Sequence, residues 1–105
     1  MFYKFRQNNS GGYFDGYHNV IIEASDAVEA NRFAEQSGYV YFDARGDCVD
    51  CCGYRWDPFL DSETYDNGYS VFEDCEDAKH AAMGSYYTST GDNIVIFADG
   101  SQEIF

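Results

Sequence analysis

Residues 47 to 56, DCVDCCGYRW, hold three of the chain's four cysteines beside an arginine and the only tryptophan. Cys48 and Cys51 have C-x2-C spacing, and Cys51-Cys52-Gly53 resembles half of a zinc knuckle, in which glycine lets backbone amides turn toward thiolate sulfur. A closed zinc site takes four ligands, so Cys75 and His80 are the candidates to complete it, with His18 as a further donor. The set Cys48, Cys51, Cys75 and His80 would tie residues 43 to 77 into a small zinc-binding adaptor. Cys75 at the start of a helix is expected to have a lowered thiol pKa. His80, five residues on, is slightly off the spacing that puts two ligands on one helix face. The same cysteines also read as small buried apolar groups around Trp56, and Cys52 or Cys75 with His80 as base is the outline of a nucleophile. Zinc apart, no cofactor is suggested.

No recognisable enzyme motif accompanies these residues: there is no G-x-S-x-G, no H-E-x-x-H and no G-x-x-x-x-G-K. The glycines of NNSGGYFDG are followed by neither a helix nor a lysine, so they lack the dipole and charge that hold a phosphate. DSETYDNG departs from the calcium-loop pattern and reads as a solvated turn. The expectation is a protein that is not an enzyme.

The acids carry more information. The chain has 19 Asp and Glu against 6 Lys and Arg, a net charge of −13, and that field repels bare nucleic acid and anionic lipid. Between Asp43 and Asp77 stand Asp43, Asp47, Asp50, Asp57, Asp61, Glu63, Asp66, Glu73, Asp74, Glu76 and Asp77, opposed only by Arg45 and Arg55 before Lys79 is reached. Acids at a helix start serve the helix dipole. Folding does not call for so many carboxylates in turns. Fixed carboxylates can stand in for a row of phosphates in a Lys/Arg-lined groove, and tyrosines among them add rigid contact area where bases would stack. On this reading Asp57, Asp61, Glu63, Asp66, Glu73, Asp74, Glu76 and Asp77 bind the partner by charge, with Tyr65 and Tyr69 as anchors. The alternative is an acidic face that does no more than keep the protein soluble.

Elements must position these groups, and 105 residues suffice for a single domain with one core. FYKFR alternates as a strand, with Tyr3 and Phe5 on one side and Phe2, Lys4 and Arg6 on the other. HNVIIEA is a second strand, with Val20 and Ile22 opposite Ile21, and pairing antiparallel with the first is the simplest arrangement. SDAVEANRFAEQSG is a helix capped by Ser25 or Asp26, with Asp26 and Glu29 spaced as a capping box and Gly38 as its left-handed stop. Ala27, Ala30, Phe33 and Ala34 form its apolar stripe, and Asn31 lies on the polar side. YVYF is expected to be a strand, PFLDSETYDNG a surface loop and YSVF another strand. EDCEDAKHAAMG is a second helix with Asp74 or Cys75 near its cap and Gly84 at its end. NIVIFADGSQEIF makes a hairpin around Asp99-Gly100. The expected architecture is α+β: a mostly antiparallel sheet of five or six strands with two helices packed on one face. The N-terminus has no apolar stretch of signal-peptide length and no run spans a membrane, so the protein is expected in the cytoplasm, with its thiols reduced.

Glu23 to Gly38, Tyr41-Phe42-Asp43 and Cys51-Cys52-Gly53-Tyr54-Arg55-Trp56 resemble a class of short phage and mobile-element proteins with a Cys-Cys-Gly-x-Arg-Trp core. In size, charge and lack of catalytic motifs the chain is also similar to anti-CRISPR and anti-restriction inhibitors, several of which mimic nucleic acid. That resemblance implies an inhibitor of a host defence nuclease, best matched to a Cas9-like effector, whose partner is a basic nucleic-acid-binding host protein and not nucleic acid or membrane.

Overall fold

The computed structural model describes residues 1–8, 16–42, 56–59, 71–84 and 91–105. These form five strands and two helices: β1 (Phe2–Arg6), β2 (Asn19–Glu23), α1 (Ala27–Gln36), β3 (Val71–Phe72), α2 (Cys75–Met83), β4 (Asn93–Ile96) and β5 (Gln102–Ile104). The strands make one sheet in the order β3-β1-β2-β4-β5. Three of the four pairings are antiparallel, so the expected α+β class with a mostly antiparallel sheet is what the chain adopts.

The exception is the centre, where β2 and β4 run parallel with Asn19 opposite Asn93 and Ile22 opposite Ile96. Each strand contains an uninterrupted apolar run, Val20-Ile21-Ile22 and Ile94-Val95-Ile96, and Val20, Ile21, Ile22, Ile94 and Val95 are at most 1% exposed. Each contributes about 1.5–3 kcal/mol of transfer free energy. Strands apolar on both faces need cover on both faces.

That cover comes from opposite sides, which corrects the expectation of two helices on one face. Tyr3, Phe5, Val20, Ile22 and Ile94 share a core with Ala30 and Ala34 of α1. Phe2, Ile21 and Val95, from the alternate positions of the same strands, pack on Ala78 and Ala82 of α2. Both helices dock through a pair of fully buried alanines one turn apart, and so small a side chain lets the helix backbone approach the sheet closely. Beside α1, residues 56–59 complete the first layer: Trp56 is 2% exposed, and Phe59 packs edge-on against Tyr3 and Phe5, with ring centroids 5.3 and 5.0 Å apart.

The helix starts follow their capping signals. Asp26 accepts the Glu29 N–H at 2.8 Å, and Glu29 reaches back to the N–H of Ser25 at 3.2 Å, so the box closes one residue earlier than the usual reciprocal bond. Asp74 caps α2 by accepting the Glu76 N–H at 2.7 Å. The chain leaves α1 through Gly38 at φ +82°, a conformation that costs other residues steric strain. The final hairpin turns at Asp99-Gly100, with Gly100 at φ +90° and Asp99 accepting the N–H and O–H of Ser101.

Residues 39–42, expected as a strand, join no strand of the sheet. They lie over the α1 layer: Val40 is buried, Tyr39 stacks edge-on against Tyr17 at 5.1 Å, and Phe42 meets Phe5 at 6.0 Å. Here an apolar aromatic run covers the sheet without extending it. Val71–Phe72 is the described part of the expected strand YSVF.

Candidate functional site

Five of the acids expected to bind a partner lie in described segments, and all five are exposed. Glu73 and Asp74 link β3 to α2, and Glu76 and Asp77 form the first turn of α2. Two of these four have local duties. Asp74 spends a carboxylate oxygen on the helix cap, and Glu76 lies 3.6 Å from Lys79, which makes a shorter bond of 2.7 Å to Glu103 of β5. Glu73, Asp77 and Asp57 form no ion pair among the described residues. Asp57 belongs to the layer over the α1 face, whereas α2 lies on the other, so the structure does not bring it together with the four. Asp61, Glu63, Tyr65, Asp66 and Tyr69 lie outside the described residues, as do Cys48, Cys51 and Cys52.

The described half of the expected zinc set does not converge. Cys75 packs against the α2-side core while His80 is exposed, and five residues of helix turn them about 140° apart. Burial pushes the Cys75 thiol up, and Glu76, Glu103 and Asp74 add to the rise; only Lys79 opposes it. The thiol, expected to be lowered at the helix start, is instead raised by desolvation and neighbouring carboxylates. A raised thiol is a poor nucleophile at neutral pH. Among the described residues, no three His, Cys, Asp or Glu side chains are grouped to hold a metal ion.

Sequence reasoning missed two polar devices. Asn31, assigned to the outer face of α1, clamps the backbone of Phe59 from both sides, donating to its carbonyl at 2.7 Å and accepting its N–H at 2.9 Å. This amide clamp holds the Trp56 to Phe59 segment on the sheet. Asn19 and Asn93, both fully buried, are joined across the parallel pair by an Nδ2 to Oδ1 bond of 2.9 Å. The signal was available in principle: an asparagine precedes each of the two apolar runs, at matching positions. At the same end of the sheet the His18 carbonyl accepts the Gln7 N–H, and the His18 N–H donates to the Asp92 carbonyl. Burial holds the imidazole pKa below its usual value, Arg6 and Lys4 push the same way, and Asp92 opposes them.

On the α1 face, between the C-terminal turn of α1 and the β4–β5 hairpin, lies an open groove of about 250 Å³. Ile22, Phe33 and Ile96 supply its apolar floor, and Glu23 and Gln102 stand at its rim. Glu23 also accepts the Ala98 N–H at 2.9 Å, fixing the hairpin against β2. Ser37 brings the groove a hydroxyl, which donates to the Ala34 carbonyl.

The family described as Domain of unknown function (DUF7296) matches residues 1–105. The chain belongs to that family. No curated protein and no solved structure matches it. The family's description assigns no activity. Among the described residues, no helix is long and apolar enough to cross a membrane.

Proposed function

We propose that this chain is a binding protein whose acidic surface occupies the cationic nucleic-acid groove of another protein, and that its specific role is to inhibit a host defence nuclease of the Cas9 type. The observation that carries the reading is the exposure of Glu73, Asp74, Glu76 and Asp77 side by side at the start of α2, with Asp57 exposed apart from them, in a chain of net charge −13. Folding accounts for Asp74 and Glu76, but Asp57, Glu73 and Asp77 have no internal partner among the described residues. Exposed carboxylates raise the association rate with a basic cleft and compete with phosphates there. The resemblance to short phage proteins supports the choice of a defence nuclease as target. The divergence of Cys75 and His80 weighs against the zinc adaptor.

The test is capture from bacterial lysate, and inhibition of guide-loaded Cas9 cleavage, by the wild type beside a variant carrying Asp57→Asn, Glu73→Gln, Glu76→Gln and Asp77→Asn. Asp74 is left in place because it caps α2. Salt-sensitive capture and inhibition, both lost in the variant, are expected. Retention of the same partner at high salt by the neutralised variant overturns the mimicry.

A further inference from the structure

Among the described residues the sheet ends on one side in β5, and its hydrogen bonds fix which backbone groups are available. Asn93 and Phe105 exchange both N–H to O bonds, at 3.0 and 2.9 Å, and the Phe97 N–H donates to the Ser101 carbonyl at 2.8 Å. Residues 101, 103 and 105 therefore face β4, so by antiparallel alternation the N–H and C=O of Gln102 and Ile104 point outward. All three β5 residues are exposed, Ile104 at 57%, and no described strand lies beyond them. Of the usual guards of a bare edge, β5 has its shortness, three residues, and the charge of Glu103, but no lysine or proline. The side chains of Gln102 and Ile104 lie on the α1 face, where Gln102 forms the rim of the groove floored by Ile22, Phe33 and Ile96.

We infer that β5 is a docking edge that takes up an extended, cationic segment of a partner protein as a sixth strand, its main chain bonded to Gln102 and Ile104 and its apolar side chains at the mouth of the groove. The inference rests on the reading of the protein as a binder of basic partners and adds where and how such a partner would be held. Charge selects the occupant. Residues 91–105 carry Asp92, Asp99 and Glu103 and no Lys, Arg or His, and Lys79 of α2 bonds Glu103. A second copy would bring another −13 to the same edge and is repelled. A strand alternating lysine with apolar residues gains main-chain bonds, apolar contact and charge attraction together.

The probe is an eight-residue peptide alternating Lys and Val, with a Glu-Val peptide as control, followed by amide hydrogen exchange and NMR titration of the intact chain. Exchange at Gln102 and Ile104 is expected to slow by about tenfold or more on adding the Lys-Val peptide and to be unchanged by Glu-Val. Gln102→Pro and Ile104→Pro each delete one outward N–H and leave the bonds to β4 intact, and each is expected to weaken binding by roughly tenfold. Ile104→Thr, which keeps both outward groups, separates loss of the donor from disturbance of the strand, and is expected to bind within about threefold of wild type. Peptide binding without protection at Gln102 and Ile104, binding indifferent to both prolines, or a concentration-dependent dimer through this edge would each overturn the inference. Running the same titration on the variant neutralised at 57, 73, 76 and 77 separates the two proposals. If that variant still takes the peptide at β5 but the wild type inhibits no nuclease, mimicry alone falls. If acid-dependent capture persists and β5 gains no protection, the docking edge alone falls.

Discussion

Replacing Ala34 and Ala82 with leucine, singly and together, tests the placement of the helices on opposite faces of the sheet. Both alanines are fully buried, Ala34 against the core of Tyr3, Val20 and Ile22 and Ala82 against that of Phe2, Ile21 and Val95. Leucine adds three carbons where none fit. Overpacking of this kind costs about 1–3 kcal/mol per site, and leucine's good helix propensity keeps the local helix term small. For a chain of this length each kcal/mol lowers Tm by roughly 4–8 °C, so each single variant should melt about 4–24 °C below wild type. Val28→Leu, at a position 55% exposed on α1, should stay within about 0.5 kcal/mol. The decisive quantity is the double variant. With a sheet between them the two sites share no neighbours, and their costs should add to within about 0.5 kcal/mol in urea unfolding. A coupling of 1 kcal/mol or more, or single variants as stable as wild type, would refute the two-sided packing.

Stability should also depend on His18. Its folded pKa lies below the ordinary imidazole value, so its contribution is complete above the unfolded pKa of about 6.5 and is lost as pH falls through that value toward the folded one. A His18→Gln variant should therefore lose less stability than wild type between pH 7.5 and 5.5 in urea unfolding, and equal losses would contradict the assignment. Asp74→Ala should cost about 1 kcal/mol through loss of the α2 cap, whereas Asp74→Asn, which keeps an acceptor, should cost a few tenths; matched thermal melts decide it. The Cys75 thiol, raised by burial, should alkylate with iodoacetamide at pH 7 more slowly than free cysteine, followed by peptide mass mapping, and faster reaction would contradict the buried setting.

Local features of the fold were legible where one physical signal dominated. The alternation of Phe2 to Arg6, the Asp26 and Glu29 box and the Asp99-Gly100 turn each specify a short-range geometry, and each formed. Layering was not read correctly, although its cue was present. Val20-Ile21-Ile22 and Ile94-Val95-Ile96 are apolar at consecutive positions, which marks strands buried on both faces and favours the parallel centre observed. Tyr39 to Phe42 failed as a strand because aromatic density reports burial and not backbone pairing. In the candidate site, charge and exposure could be foreseen from composition. The Asn31 clamp could not, since an asparagine on the outer side of a helix looks like any solvated residue until Phe59, 28 positions later, returns to meet it.

The parallel contact between β2 and β4 also dictates an order of events during synthesis. Asn19 and Asn93 stand 74 positions apart, so when β2 emerges from the ribosome its second neighbour has not yet been translated. A nascent chain can form the β1–β2 ribbon early but must leave one flank of β2 open until residues 93–96 arrive. Closing so long a loop makes the final step slow. Until then the exposed Val-Ile-Ile stretch is a natural client for a chaperone.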